Sequence, residues 1–385
     1  MKDNYISKRY WKDRSTPMGK VDELAKEFYD VIDLSLGDPD LTTHKIVIEG
    51  AMKDAMAGHT KYTDFRGDPE LRSEICKFYL DEYHVEVSDS EVFVAASGCL
   101  AMYLVLEAIL DDGDEVIIQA PYFTPYPQQV ELARGIPVPL DTFEEEDFRI
   151  NESRLKNLIT ERTKAIIINT PSNPTGMCLS EENLLQIGKI AAEHDLLIIA
   201  DDIYGAFSFE SPFVPMISLK KFNERLITIN SFSKNFTMTG WRIGNIIAPE
   251  KIIKTIQLIN ENVLFTAPSI SQRGAIYALK NREVIQPPMI EEYKNRVMYS
   301  EKRINTIGWM SVLPPKGTFY LFINIKKTGL SSEEVSDIIL RKAHVLTIPG
   351  ISFGNCGEGY IRIACTTGIP RLKEAFDRIE SITFD

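Results

Sequence analysis

The sequence lacks the features that mark secreted, metal-binding and membrane-spanning proteins. Its five cysteines are an odd number with no CxxC spacing, and its five histidines are scattered, so we expect free thiols and no bound metal. No apolar run approaches the length that crosses a bilayer, and the N-terminus has no apolar segment of signal-peptide length. We therefore predict a cytoplasmic protein without membrane contacts.

Positive charge is also scarce. Lys and Arg number 43 against 55 Asp and Glu, which gives a net charge of −12. A surface of this sign repels phosphate backbones and anionic lipids, so the surface as a whole is not expected to bind nucleic acid or a membrane. A local basic pocket for a small anion is still compatible with this charge.

The chain has the length and the pattern of a large α/β protein. Its 385 residues exceed one typical core, which favours a large domain plus a smaller one. Short apolar runs alternate with helical or irregular segments in the first two thirds, and this alternation predicts a mostly parallel, doubly wound sheet covered by helices. The predicted strands are 92–95, 116–119, 136–140, 165–169, 196–200, 226–230 and 243–248.

The two ends of the chain have a different pattern. An N-terminal arm with a short helix at 21–28 precedes the apolar run at 31–36. After the sheet, a helical region at 249–306, broken at 266–268, leads to a smaller α/β unit. That unit is predicted to have strands at 319–325, 345–347 and 360–364 and helices at 332–342 and 370–382.

The stretch 231–244, SFSKNFTMTGWRIG, is the candidate for the chemistry. It follows a predicted strand and places Lys234 beside two hydroxyls and an arginine. A lysine amine can form a Schiff base with a carbonyl, and Ser231, Ser233 and Arg242 suit a phosphate group on the same molecule. Pyridoxal phosphate carries both groups, although a solvated loop lysine among turn serines fits this stretch equally well.

Other polar and aromatic residues follow the predicted strands, at the edge where ligands bind in such sheets. A strand, then Gly98, then a helix start form an anion site, because free amides and the helix dipole point at the loop. Gly37 ends an apolar run, and its amide suits a ligand carboxylate. A plain βα turn and an ordinary turn glycine remain open alternatives. The further residues at this edge are Phe123, Asn173, Asp201 and Tyr204.

Five motifs in a fixed order, from about residue 33 to the C-terminus, resemble one family. They lie at 62–67, 172–176, 201–204, 231–244 and 349–354, and Arg362 follows them. With these motifs the chain resembles the class I aminotransferases, the fold type I enzymes that use pyridoxal phosphate. The resemblance implies a large domain with a seven-stranded, mostly parallel sheet and a smaller α/β domain. We expect an arm with part of the small domain at 1–44, the large domain at 45–285 and the small domain at 286–385.

The resemblance also implies catalytic roles. Lys234 would form the Schiff base and then move a proton between the substrate α-carbon and the cofactor. Asp201 would pair with the pyridine nitrogen, and Tyr204 and Asn173 would hydrogen-bond the phenolic oxygen of the ring. Phe123 would stack on the ring face.

The remaining implied roles concern the phosphate and the substrate. The phosphate would be held by the side chains of Ser231, Ser233 and Arg242 and by the amides of Cys99 and Leu100. Tyr62 would reach it from a neighbouring subunit, so a homodimer with shared active sites is expected. Arg362 would bind the substrate α-carboxylate in a bidentate manner, assisted by Gly37 and Asn173.

Two departures from the family bear on the substrate. Aspartate-specific members often have a lysine directly after the glycine that is Gly98 here, whereas this chain has Cys99; the region 260–265 also lacks the arginine of another branch. We therefore expect an aminotransferase that acts on neutral or aromatic L-amino acids by a ping-pong mechanism, with 2-oxoglutarate as the acceptor.

Two other enzyme outcomes and one non-catalytic function use the same cofactor. A C–S β-lyase, and a racemase or γ-elimination enzyme, would also use Lys234. A non-catalytic sensor, like the aminotransferase-like half of some transcription regulators, would carry a DNA-binding domain ahead of the fold. The roughly forty residues before the match are too few for that domain and show no helix-turn-helix pattern.

Overall fold

The computed structural model describes residues 5–7, 10–11, 25 and 28–384. The helix predicted at 21–28 falls outside these residues, apart from residues 25 and 28.

A seven-stranded sheet lies at the centre of the larger part. Its strands are β2 (Val92–Ala95), β3 (Glu115–Ala120), β4 (Ile136–Asp141), β5 (Thr163–Asn169), β6 (Leu197–Asp201), β7 (Leu226–Ser231) and β8 (Gly244–Ile247). The order across the sheet is β2-β8-β7-β6-β5-β3-β4, and only β8 runs antiparallel to its neighbours. The short connection from β7 to β8 holds no crossover helix of the length that parallel pairing needs, so the chain turns back. The predicted α/β class and mostly parallel sheet are confirmed.

Helices cover both faces of the sheet, which explains why its central strands are nearly continuous apolar runs. They are α1 (Lys45–Met56), α2 (Pro69–Tyr83), α3 (Gly98–Ile109), α4 (Pro125–Leu132), α5 (Glu152–Leu158), α6 (Glu181–Glu193), α7 (Phe232–Asn235), α8 (Glu250–Val263) and α9 (Ser269–Lys280). One buried cluster joins the sheet to α1, α2, α5, α6 and α9. A second cluster on the opposite face joins it to α3, α4 and α8.

The smaller unit has its own hydrophobic cluster. Its elements are β1 (Ile32–Asp33), α10 (Arg282–Ile304), β9 (Tyr320–Asn324), α11 (Ser332–Ala343), β10 (Val345–Leu346), β11 (Ile348–Pro349), β12 (Tyr360–Ala364) and α12 (Ile369–Glu380). Strands β11, β12 and β9 form an antiparallel sheet, and β1 pairs in parallel with β10. Ile32, Tyr293, Phe319 and Phe376 are all buried in this cluster. The N-terminal segment therefore packs with the C-terminal unit, while the boundaries at 44 and 285 stay a prediction.

The helical region after the sheet differs from the prediction in one respect. Helix α8 ends at Val263 and α9 begins at Ser269, which brackets the predicted break. A second break at Asn281 separates α9 from α10, where the Asn281 amide closes the end of α9 by donating to the carbonyls of Tyr277 and Ala278. A single Asn in a helical pattern gave no signal for this break.

Within the described residues, every helix is too short or too polar to cross a bilayer. The His, Cys, Asp and Glu side chains of the same residues contain no group of three or more that could hold a metal ion. The cytoplasmic location and the lack of a metal or nucleic acid partner stay predictions.

Candidate active site

A cavity of about 480 Å³ lies between the C-terminal ends of the central strands and the smaller unit. Cavities of this volume hold small-molecule ligands. The predicted site residues that line it are Gly37, Cys99, Phe123, Asn173, Asp201, Tyr204, Ser231, Ser233, Lys234, Arg242 and Arg362. Leu100 and Tyr62 are the two predicted residues that do not line it.

Lys234 lies in α7, a single helical turn that follows β7 directly. Its Nζ donates a hydrogen bond to the Gly37 carbonyl at 2.5 Å, so the larger part and the N-terminal segment meet at this amine. Gly37 also lets Tyr320 pack closely against this segment, because a Cβ at this position would lie 1.6 Å from the Tyr320 hydroxyl oxygen. The lysine amine therefore points into a cavity that both parts of the protein enclose.

Asp201 ends β6 and is buried. Its Oδ2 accepts a hydrogen bond from the Tyr126 hydroxyl at 2.6 Å, and its Oδ1 accepts one from the Ile203 amide at 3.1 Å. Burial raises the pKa of Asp201 to about 6, although both hydrogen bonds act to lower it. A cationic partner in the cavity would keep this carboxylate ionised, and a protonated pyridine nitrogen is such a partner.

Asp202 is the next residue, but its carboxyl group does not line the cavity. Neither carboxyl oxygen has a hydrogen-bond partner among the described residues, and the side chain is buried. Burial, and then the charge of Asp201, raise the pKa of Asp202 well above its ordinary value of 3.8. Of two adjacent buried carboxyl groups, only Asp201 is therefore placed to meet a ligand.

The anion site at the start of α3 differs from its prediction in one residue. Ser97, with φ 97°, caps the helix, and its Oγ accepts from the Leu100 amide at 3.2 Å. The Leu100 amide is therefore already satisfied. Gly98 rather than Leu100 accompanies Cys99 in the lining, so the backbone amides available here belong to the first turn of α3.

Hydroxyl and guanidinium groups stand on the other side of this helix terminus. Ser231 Oγ donates to Ser233 Oγ at 3.0 Å and is buried. Arg242 adopts φ 51° and donates from Nη1 to the Thr239 carbonyl at 2.8 Å. The helix dipole, two hydroxyls and one guanidinium are groups that suit a phosphate ligand.

Arg362 lies in β12 and is almost fully buried, with 1% of its surface exposed. Its Nη1 donates to Asn173 Oδ1 at 3.0 Å, and its Nη2 donates to the Ser35 carbonyl. Its Nε has no hydrogen-bond partner among the described residues. A buried donor left unpaired costs about 1–3 kcal/mol, more when charged, and a carboxylate ligand would remove that cost.

Tyr62 is the second predicted residue outside the cavity. Its side chain is 80% exposed. Its ring contacts Phe265 edge-on at 4.8 Å between centroids, and Phe65 packs on the same ring at 5.0 Å. A single chain thus does not bring Tyr62 to the cavity.

The structure also adds lining residues that the sequence analysis did not name, among them Tyr126, Asn169 and Tyr320. Asn169 ends β5 beside Asp201 in register, and its Nδ2 donates to the Asp201 carbonyl at 2.9 Å. The rule that polar residues at strand ends face ligands would have found Asn169. Tyr126 lies three residues after Phe123, which is a weaker signal, and Tyr320 is the first residue of β9, where no sequence pattern marks it.

This set of groups fits pyridoxal phosphate. The amine of Lys234, the buried carboxyl group of Asp201 and the ring of Phe123 line one cavity together with the groups that suit a phosphate. Arg362, whose Nε has no partner among the described residues, lines the same cavity. When bound, the cofactor supplies an aldehyde for the lysine and an electron-withdrawing ring. Lys234, Asp201 and the phosphate-site residues would hold it.

The comparisons with known proteins agree with this geometry. The family model described as aminotransferase class I and II matches residues 29–379. The aspartate aminotransferase of Pyrococcus abyssi is 39% identical over 94% of each chain, and the aromatic-amino-acid aminotransferase 2 of Thermococcus litoralis is 36% identical over 94% of each chain. The crystal structure of the aromatic aminotransferase of Pyrococcus horikoshii superposes with a TM-score of 0.89 at 37% identity, covering 94% of this chain and 97% of that one.

The family model spans nearly the whole chain, and one cavity is lined by a lysine amine, a buried carboxyl group, serine hydroxyls and arginine side chains. The chain therefore belongs to the class I and II aminotransferase family and is a pyridoxal phosphate-dependent aminotransferase.

Proposed function

We propose that the enzyme transfers the amino group of a neutral or aromatic L-amino acid to a 2-oxo acid. One observation carries this choice. Among the described residues that line the cavity, the Lys and Arg side chains are Lys234, Arg242 and Arg362. The first serves the Schiff base, the second lies at the phosphate site, and the third suits the α-carboxylate. No further cation in this lining is left for a second carboxylate.

The rest of the lining supports the same preference. Asp38 adds a negative charge to the lining, which disfavours a second carboxylate on the substrate. The apolar and aromatic side chains in the lining are Leu36, Met102, Phe123, Tyr126, Ile203, Tyr204 and Tyr320. Such surfaces favour an apolar or aromatic substrate side chain.

We assign the following roles to the chain's own residues. Lys234 would hold the cofactor through its aldehyde and, once the substrate amine takes its place, would move the proton at the substrate α-carbon. Asp201 holds the pyridine nitrogen in its protonated form, and Tyr204 and Asn173 bind the phenolic oxygen. Phe123 packs on the ring, while the phosphate is held by the hydroxyls of Ser231 and Ser233, the guanidinium of Arg242 and the amides of the first turn of α3.

The donor range tests the specificity proposal. We expect kcat/KM for phenylalanine, tyrosine or leucine, with 2-oxoglutarate as acceptor, to exceed that for aspartate by at least about tenfold, since one unmatched buried carboxylate costs more than 1.4 kcal/mol. Initial rates at several fixed acceptor concentrations measure this and also show the parallel lines of a ping-pong mechanism. An enzyme that prefers aspartate would refute the proposal and would point to a cation from outside this lining.

We propose 2-oxoglutarate as the amino acceptor. 2-Oxoglutarate carries a second carboxylate, so the lining described above binds its distal end less well than its α-carboxylate. We therefore expect a KM for 2-oxoglutarate above that for the preferred amino donor. Replacing it by an uncharged 2-oxo acid, such as 4-methyl-2-oxopentanoate, measures the difference directly.

Arg362→Lys tests the proposed carboxylate site. Lysine keeps the charge but loses the planar pair of donors, so we expect kcat/KM for the amino acid to fall about 10- to 100-fold, mainly through KM. Arg341→Lys is the matched control, because Arg341 makes a two-contact pair with Asp337 on the exposed surface of α11. Equal kinetics for the two variants would show that Arg362 does not bind the substrate.

We further propose that two copies of the chain form a homodimer in which Tyr62 reaches the phosphate of the partner's cofactor. The support is the exposed aromatic group of Tyr62, Phe65 and Phe265, which a second copy would cover. Sedimentation should give a dimer of 43.7 kDa chains. Mixing inactive Lys234→Ala and impaired Tyr62→Ala chains should restore activity, because each hybrid contains one site with both residues intact. Failure of active hybrids to form from a proven dimer would remove the shared site.

A further inference from the structure

Tyr320 lines the cavity, and its hydroxyl has no role in the function proposed above. Its side chain is 3% exposed, and its hydroxyl accepts a hydrogen bond from the Tyr204 hydroxyl at 3.1 Å. The two rings meet edge to face, with centroids 5.8 Å apart and planes at 80°. A buried phenol thus contacts the phenol that we assign to the cofactor.

The fold explains this placement. Strand β9 carries Tyr320 and pairs with β12 so that Tyr320 stands opposite Ala364, two residues from Arg362. Side chains two residues apart share one face of a sheet, and the Arg362 guanidinium accordingly lies 4.5 Å from the centre of the Tyr320 ring. The ring supports Arg362, while the hydroxyl reaches Tyr204.

Only one of the two hydroxyls can donate in the hydrogen bond that joins them. A tyrosine hydroxyl has one donor and can accept two hydrogen bonds. If Tyr204 donates its proton to Tyr320, it has none left for the phenolic oxygen of a cofactor. If Tyr320 donates instead, the Tyr204 proton is free for that oxygen, and each bond strengthens the other. Burial raises the pKa of Tyr204 well above its ordinary value, so Tyr204 stays protonated and remains a donor.

We propose that Tyr320 is a positioning residue: when the cofactor binds, the hydrogen bond between the two hydroxyls reverses, so that Tyr320 donates to Tyr204 and the Tyr204 proton is directed to the phenolic oxygen of the cofactor. This inference rests on the role proposed for Tyr204. It makes a specific claim about protonation. With the cofactor bound, its phenolic oxygen would hold the proton on the Lys234 nitrogen, so a hydrogen bond donated to that oxygen by Tyr204 would favour loss of this proton.

The test is a pH titration of the visible absorbance of the cofactor-bound enzyme. Tyr320→Phe removes the hydroxyl and keeps the ring over Arg362. We expect it to raise the titration midpoint by about half to one pH unit, the equivalent of one lost hydrogen bond. We also expect kcat to fall about three- to tenfold, with KM for the amino acid within about twofold, because the ring still supports Arg362.

The same substitution in a Tyr204→Phe background separates an indirect role from a direct one. Because Tyr320 acts through Tyr204, its loss should then leave the midpoint unchanged. Tyr360→Phe, a buried tyrosine of the same small sheet outside the cavity lining, should leave the midpoint unchanged in the wild-type background. An unshifted midpoint for Tyr320→Phe, or an equal shift in both backgrounds, would overturn the inference. A wild-type enzyme whose absorbance did not respond to amino acids would contradict the proposed function instead.

Discussion

Replacing Lys234 by alanine should abolish transamination and leave the protein folded. We expect steady-state turnover below about 10⁻⁴ of the wild-type rate, because the lysine is proposed both to form the covalent link and to move the proton, and proton transfer alone contributes about 10²- to 10⁴-fold. The fold should survive, since the Nζ of Lys234 makes one hydrogen bond, to the Gly37 carbonyl. One such bond contributes about 1 kcal/mol to a stability of about 5–15 kcal/mol.

Turnover assays and thermal melting of the cofactor-free protein measure the two halves of this prediction. Lys254→Ala is the control, because Lys254 is an exposed lysine of α8 paired with Glu250. It should keep wild-type turnover. Appreciable turnover by Lys234→Ala would mean that another amine carries the chemistry.

The second large effect should separate Asp201 from its neighbour. Asp201→Ala should lower kcat by at least about 100-fold, because removing one member of a buried ion pair costs about 3–5 kcal/mol. Asp202→Ala should change kcat by less than about tenfold. The carboxyl group of Asp202 does not line the cavity and lies near Tyr79 and Tyr83, whose pKa values are raised mainly by burial and, to a smaller extent, by the charge of Asp202.

Both alanine variants remove a buried side chain, so their stability must be compared before their rates. Asp201→Asn and Asp202→Asn keep the shape and remove only the charge, and they should give the same order of effects on kcat. Equal losses for the two positions in the asparagine pair would show that the wrong carboxylate has been assigned to the pyridine nitrogen.

The sequence predicted the sheet and its catalytic edge because both depend on local patterns. Buried parallel strands are short apolar runs, and in such sheets the polar residues that follow them, such as Asp201 and Lys234, meet at one edge. The role of Arg362 came only from the family resemblance. Arg362 lies more than a hundred residues after Lys234 in the sequence, and the packing of the smaller unit brings both side chains to the same cavity.

Other parts of the site depend on geometry that no local pattern encodes. Whether the Leu100 amide is free depends on the backbone of Ser97, whose φ of 97° lets its side chain cap the helix. Tyr320 faces the cavity because β9 pairs with β12 in one particular register. Tyr62 does not line the cavity of its own chain, so its proposed contact with a cofactor needs a second chain. The pattern of one sequence does not encode such a contact between chains.

The central claim is that Lys234 supports amino transfer rather than elimination. The most direct measurement mixes the cofactor-bound enzyme with one amino acid and no 2-oxo acid, and records visible absorbance and released ammonia together. We predict that the band of the lysine-bound cofactor converts once to that of the aminated cofactor, that 2-oxoglutarate restores it, and that no ammonia appears. Continuous ammonia release with the original band retained would contradict the account and identify a lyase.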